Sequence, residues 1–180
     1  CYNANSSVPD GCATSNYATQ FGLSGDYPLL FDFDLDAKVD LAVWRPFLKQ
    51  GKLKIEGQWY IRKSSDDTLF TVQWGLRGDY PLEADIDGDG KPDLAVWRPS
   101  PGTWYVLLSS TNYDRQRPFI RQWGLPGDHP MFFPVSDLVE GDLRGQPAGF
   151  PNALAVWRPE SGNWYICPLD LTQNACTAPI

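Results

Sequence analysis

Three short motifs recur in the same order along this chain, and that recurrence restricts the fold more than any other feature. Gly22-Leu-Ser-Gly-Asp-Tyr-Pro-Leu29 returns as Gly75-Leu-Arg-Gly-Asp-Tyr-Pro-Leu82 and as Gly124-Leu-Pro-Gly-Asp-His-Pro-Met131. Ala42-Val-Trp-Arg-Pro46 returns at 95–99 and 155–159, and Gly57-Gln-Trp-Tyr60 returns at 102–105 and 162–165. Gln73-Trp-Gly75 and Gln122-Trp-Gly124 have Gln20-Phe-Gly22 as their first copy, and all eight Trp fall inside these motifs. Self-similarity at such a period marks a repeat architecture. The repeats span about 22–74, 75–123 and 124–180, in a single repeat domain over 1–180.

Each copy reads as short strands separated by turn signals. In the second copy, 81–86 leads to an acidic loop and 93–98 is an apolar strand. Ser100-Pro-Gly102 is a tight turn, 103–109 is a β-rich strand, and Phe119-Ile-Arg-Gln-Trp123 is another. No window carries helical periodicity with a cap. Four short antiparallel strands per copy is the pattern of a propeller blade, so the expected fold is an all-β, propeller-like array of three blades. Three is fewer than propellers generally have. A strand at 16–22 resembles the last strand of a blade, so it is expected to pair with the third blade or with a neighbouring subunit. The first copy carries eight extra residues between Trp44 and Trp59, read as a lengthened hairpin with Lys49, Lys52 and Lys54. The third has an insertion between Pro130 and Ala155, where its acidic loop should lie.

The net charge of -7 leaves no basic stripe for phosphates, so no nucleic-acid partner is expected. No stretch approaches the ~20 apolar residues of a membrane span. Cys1, Cys12, Cys167 and Cys176 lie toward the two ends with no CxxC spacing and no nearby His, which suits disulfides in an oxidising compartment better than zinc. The expected location is extracellular or at the cell surface, with any signal segment already removed. A second reading makes Cys1 the lipid-bearing residue of a bacterial lipoprotein, at the cost of an odd number of thiols.

Asp85-Ile-Asp-Gly-Asp-Gly-Lys-Pro-Asp93 sets acids at 85, 87, 89 and 93, with glycines at 88 and 90. Calcium takes six to eight oxygens, and alternating Asp in a tight loop converge on one point. Asp32, Asp34, Asp36 and Asp40 match position by position, with Leu35 and Ala37 replacing the glycines. The third copy keeps only Asp137, Glu140 and Asp142, differently spaced. The acidic loop before an apolar strand resembles the FG-GAP repeats of integrin alpha-subunit propellers. Together with Gln-Trp-Gly-Leu-x-Gly-Asp-Tyr-Pro, Ala-Val-Trp-Arg-Pro and Gly-x-Trp-Tyr, it is similar to the VCBS-type FG-GAP-like repeats of bacterial secreted and surface proteins. The resemblance covers about 17–168. It implies calcium held by the side chains of Asp85, Asp87, Asp89 and Asp93 with the Lys91 carbonyl, and by the Asp32, Asp34, Asp36, Lys38 and Asp40 set.

The expected function is a calcium-stabilised structural or adhesive module, self-associating or bound to a surface glycan or protein. The alternative is a lectin with one aromatic pocket per repeat, at Trp59 and Tyr60, Trp104 and Tyr105, and Trp164 and Tyr165. Arg77-Gly-Asp79 reads as a turn, because Gly-Asp recurs while Arg77 does not. Arg45, Arg98 and Arg158 are expected to pair with Asp26, Asp79 and Asp128. His129 is the only His and replaces Tyr27 and Tyr80, and no catalytic motif is present, so no enzyme is expected.

Overall fold

The computed structural model describes residues 18–50, 52–134, 152–170 and 175–176. Cys1, Cys12 and the third-copy acids at 137, 140 and 142 lie outside these residues.

The chain is all-β, in antiparallel sheets that do not close into a barrel. In chain order, β1 (Tyr27–Phe31), β2 (Asp40–Gln50), β3 (Leu53–Arg62) and β4 (Leu69–Gln73) form the first sheet. The second is β5 (Tyr80–Ala84), β6 (Asp93–Arg98), β7 (Thr103–Leu107) and β8 (Phe119–Gln122). The third is β9 (His129–Pro134), β10 (Asn152–Arg158) and β11 (Asn163–Asp170), and the two-residue β12 (Ala175–Cys176) pairs with the far end of β11. Strands neighbour one another in sequence order, as short turns between antiparallel strands require. The only helical element among the described residues is a 3-10 turn at Ser109–Thr111.

The register explains the repeated motifs. Each Trp of Trp-Arg-Pro lies opposite the Trp of Gly-x-Trp-Tyr, as Trp44↔Trp59, Trp97↔Trp104 and Trp157↔Trp164. Residues directly opposite share a face, so each pair forms one apolar slab. In the first sheet the slab packs onto the next sheet, where Leu94, Val96 and Leu107 meet Trp44 and Trp59. In the second, Trp97 and Trp104 meet Leu154, Cys167 and Leu169 of the third sheet. The core thus lies between successive sheets, and β5 touches both β1 and β9. Tyr27, Tyr80 and His129 pack against Trp44, Trp97 and Trp157 at 5.6, 6.1 and 5.6 Å between ring centroids, the first edge-on and the other two tilted. His129 therefore occupies an aromatic slot.

The segment after the last strand of each of the first two sheets crosses to the next. The Trp74 carbonyl accepts both Trp44 Nε1 at 3.0 Å and Trp59 Nε1 at 3.2 Å, while Trp74 Nε1 donates to the Tyr105 carbonyl of the second sheet at 3.2 Å. The second junction repeats this: Trp97 and Trp104 donate to the Trp123 carbonyl at 3.2 and 3.1 Å, and Trp123 donates to the Tyr165 carbonyl at 3.1 Å. Gly57 and Gly102 must be glycine, because a Cβ there would lie 2.2 Å from the carbonyl oxygen of Gly75 or Gly124.

Each Gly-Asp turn is closed by its own aspartate. Asp26, Asp79 and Asp128 accept the amides of Leu23, Leu76 and Leu125 at 2.8 Å. The same carboxylates take a two-point grip from Arg45, Arg98 and Arg158 at 2.7–2.9 Å. The guanidinium carbons lie over the rings of Tyr60, Tyr105 and Tyr165 at 4.7, 4.3 and 4.3 Å. Asp79 is only 3% exposed, so Arg77-Gly78-Asp79 presents no free carboxylate to a receptor. The extra residues of the first copy lengthen β2 and β3, which stay paired as far as Gln50↔Leu53.

Asp79→Ala would leave Arg98 half-buried without its carboxylate and the Leu76 amide uncapped. A loss of ~2–4 kcal/mol in urea-unfolding stability is expected. Arg117→Ala, which removes an exposed pair with Asp114, should change it by less than ~0.5 kcal/mol.

Candidate metal centre

The two acidic loops connect the first strand of a sheet to the second, β1 to β2 and β5 to β6. In the second copy the Asp85 carboxylate folds the loop around itself, accepting the amides of Gly88 at 2.8 Å, Asp89 at 3.2 Å and Gly90 at 2.9 Å. Gly88 and Gly90 stand at φ 73° and 84°, which turns these amides inward. In the first copy Asp32 accepts Asp36 N at 3.1 Å and Ala37 N at 2.9 Å. Leu35 and Ala37 adopt φ 61° and 64° there, so the loop keeps its shape without glycine. That left-handed backbone costs about 1–2 kcal/mol per residue.

Asp93 is fully buried at the start of β6 and accepts the amides of Ser109 and Ile86, each at 2.7 Å. Asp40 is equivalent, with Ser64 N at 2.6 Å and Phe33 N at 2.7 Å. The remaining acids are met by hydroxyls from the end of the third strand. Ser109 Oγ donates to Asp89 at 2.8 Å and Ser110 Oγ to Asp87. Ser64 Oγ donates to Asp36 at 3.1 Å and Ser65 Oγ to Asp34. The Ser64-Ser65 and Ser109-Ser110 pairs were not among the residues expected from sequence. Their recurrence at the same place in two copies is the signal that would have found them.

Ligand-capable oxygens of Asp85, Asp87 and Asp89 lie within 4.8 Å of one another, as do those of Asp32, Asp34 and Asp40. Three acids of each expected set thus come together in space, while Asp36 and Asp93 are not in these groups; Lys38 Nζ lies 3.6 Å from the Asp36 carboxylate. Lys91 and Lys38 sit in the loops with their amides held by Asp89 and Asp36, each at 2.8 Å. One observation tests whether a cation fits. Asp87 Oδ1 and Asp34 Oδ1 are buried and have no hydrogen-bond partner, at equivalent positions in the two loops. A buried carboxylate oxygen without a donor is costly, and a cation coordinated by that oxygen removes the cost. These clusters can hold a metal ion.

The electrostatics agree. Burial pushes the Asp93 carboxyl up to about 7, and the charges of Asp87 and Asp85 push the same way against the two amides it accepts. Asp85 is raised too, first by burial and then by Asp89 and Asp87. Tyr113 donates its hydroxyl to the Pro92 carbonyl at 2.9 Å, and burial with the same acidic charges holds its phenol above the ordinary range.

The expected aromatic contacts divide. Trp59 and Trp104 are fully buried, whereas Trp164 is 51% exposed. Tyr60, Tyr105 and Tyr165 are half-buried under their arginines. A groove of about 370 Å³ between the first two sheets is lined by Trp74, Tyr105, Arg98, Arg115 and Ile120, among others. Cys167 is buried in β11. Among the described residues no helix is long and apolar enough to cross a membrane. No protein-family model, curated protein or solved structure matches the chain.

In chelator, Asp93 binds its proton more tightly folded than unfolded, where its pKa is near 3.8. This carboxyl therefore contributes stability at low pH that is lost as pH rises from about 4 to about 7. Tm in chelator should fall across that window from this group, and a divalent cation should flatten or reverse the fall. Leu35→Gly relieves left-handed backbone at an exposed site and should raise stability by ~0.5–1 kcal/mol.

Proposed function

We propose that the chain is a calcium-stabilised structural or adhesive module built from FG-GAP or VCBS-type repeats, its three sheets arranged as blades of a propeller-like array. The observation that carries this reading is the pair of matching acidic loops, each with one buried, unpartnered carboxylate oxygen at the same position. An oxygen-only donor set of this kind suits a hard cation, and calcium tolerates its irregular geometry better than magnesium does. Asp85, Asp87, Asp89 and Asp93 would hold one ion with the Lys91 carbonyl, and Asp32, Asp34, Asp36 and Asp40 a second with that of Lys38. Each ion would tie the loop to the serines that follow the third strand, fastening one end of its sheet. When bound, it supplies charge compensation and structure.

The module is non-enzymatic in this reading. The recurrent polar side chains serve the fold: the arginines grip turn aspartates, the indoles hold the junctions and His129 fills an aromatic slot. Its place is extracellular or at the cell surface, with the four cysteines as disulfides, and it self-associates. A lectin reading is favoured by one feature, the groove between the first two sheets. With Trp59 and Trp104 buried, its stacking platform would be Trp74 and Tyr105 rather than the Trp-Tyr pairs.

Calorimetric titration of chelated protein with calcium should show two sites. Chelator should lower Tm, and Asp87→Ala should remove one site and about half of that shift. Absence of both effects would sink the calcium reading. Glycan-array binding in calcium buffer that is lost in Tyr105→Ala would favour the lectin instead.

A further inference from the structure

The groove between the first two sheets combines parts that recur with parts that the second copy adds. Trp74 and the Arg98–Tyr105 stack belong to the repeat, since Trp123 and the Arg158–Tyr165 stack hold the same places at the second junction. Arg115, Pro118 and Ile120 are additions. The connection from β7 to β8 spans 108–118, where that from β3 to β4 spans only 63–68, and the longer one carries Arg115 and Pro118 to the groove. Ile120 lies opposite Tyr105, where the first sheet sets Thr71 opposite Tyr60. Additions to a shared frame are where a repeat protein acquires a ligand of its own.

The added residues set the chemistry of the groove. Leu76 and Ile120 line it and are each 46% exposed, and with the half-buried rings of Trp74 and Tyr105 they make its surface apolar. Arg115 also lines it, is exposed, and has no carboxylate partner among the described residues. The adjacent Asp114 is already taken, accepting Gln116 N at 2.9 Å and Arg117 Nε at 2.8 Å. Arg98 directs Nε and Nη2 at Asp79, at 2.8 and 2.9 Å, and that carboxylate is buried. The groove therefore carries one uncompensated positive charge beside apolar walls, on a chain whose net charge is -7. A cleft of one sign with low-dielectric walls concentrates the opposite charge, while the acidic remainder of the surface repels it.

We propose that this groove binds a uronic acid unit of an acidic polysaccharide, with the sugar carboxylate on Arg115. A planar guanidinium meets a carboxylate at two points, and one uncompensated cation matches a monoanion better than a phosphate dianion. The C–H face of a pyranose ring fits the apolar walls. The Gln73 amide and the Tyr105 hydroxyl, on residues that line the groove, suit the ring hydroxyls. A volume of about 370 Å³ lies at the small end of ligand pockets, which suits a short stretch of a sugar chain. This inference rests on the lectin reading of the groove given above and names the sugar it selects.

The test is calorimetric titration of the whole chain, in calcium buffer, with oligomers of galacturonic acid and of glucuronic acid, each as the free acid and as its methyl ester. At least one free acid should bind, and its ester, which keeps the ring and loses the charge, should bind about tenfold more weakly. Arg115→Gln should weaken binding of the free acid by about tenfold and leave the ester unchanged. Because Arg115 is exposed and unpaired, this variant keeps the fold, which an unchanged Tm checks. Arg117→Gln removes the same charge two residues away, outside the groove, and should change affinity by less than about twofold. Equal losses in Arg115→Gln and Arg117→Gln would mean attraction to diffuse charge and overturn the site. Acid and ester binding alike, with loss in Tyr105→Ala, would overturn the uronic acid while leaving the lectin reading standing. Tighter binding of a sulfated galactan oligomer than of either uronate would overturn the carboxylate. No binding of either uronate would overturn the inference, and an empty glycan array as well would take the lectin reading with it.

Discussion

Two indole N–H groups sharing one backbone carbonyl hold this molecule together. At each complete junction the paired tryptophans of one sheet converge on the carbonyl of the Trp that leads to the next sheet. A buried indole that finds no acceptor is costly, and a carbonyl has two lone pairs to offer. The arrangement fixes the position of the linker, and the linker fixes where the next first strand begins. Glycines at 57 and 102 follow from the same contact, because the linker passes too close for a Cβ. The Trp slabs add large apolar burial, but the shared carbonyl is what gives them a defined seat.

The acidic loops stand at a different level of the structure. Asp40 and Asp93 are buried and bind two backbone amides each, so they are part of the fold whether or not an ion is present. Asp34 and Asp87 are the residues with an oxygen still to satisfy. This separates the acids that shape the loop from those whose placement calls for a cation, a distinction that alternating aspartates in a sequence do not reveal.

Much of the architecture was legible beforehand. The strand at 93–98 was read at the residues where it lies, the lengthened first hairpin was expected from its eight extra residues, and the Arg-Asp pairs follow from two motifs that recur together. The all-β antiparallel sheets matched the reading for the first two copies, the third shows three full strands with only the two-residue β12 beside them where four were expected, and the higher arrangement of blades rests on the proposal. What sequence could not settle was which aromatic of each Trp-Tyr pair faces inward, since alternation gives two faces without naming the core. Partners that are backbone atoms, such as the Trp74 and Trp123 carbonyls, leave no residue signature at all. The seryl hydroxyls at 64–65 and 109–110 were missed for a related reason. Two adjacent serines after a strand look like an ordinary turn until the acids they meet are seen across the sheet.

Because β5 touches both β1 and β9, the middle sheet is braced by described neighbours on two faces. Cooperativity in such an array passes only between adjacent units, so stability behaves as a sum of unit and junction terms. Of the two described junctions, opening of an outer unit breaks one, whereas opening of the middle unit breaks both. Melting behaviour is then set as much by what covers the outer sheets as by anything inside them.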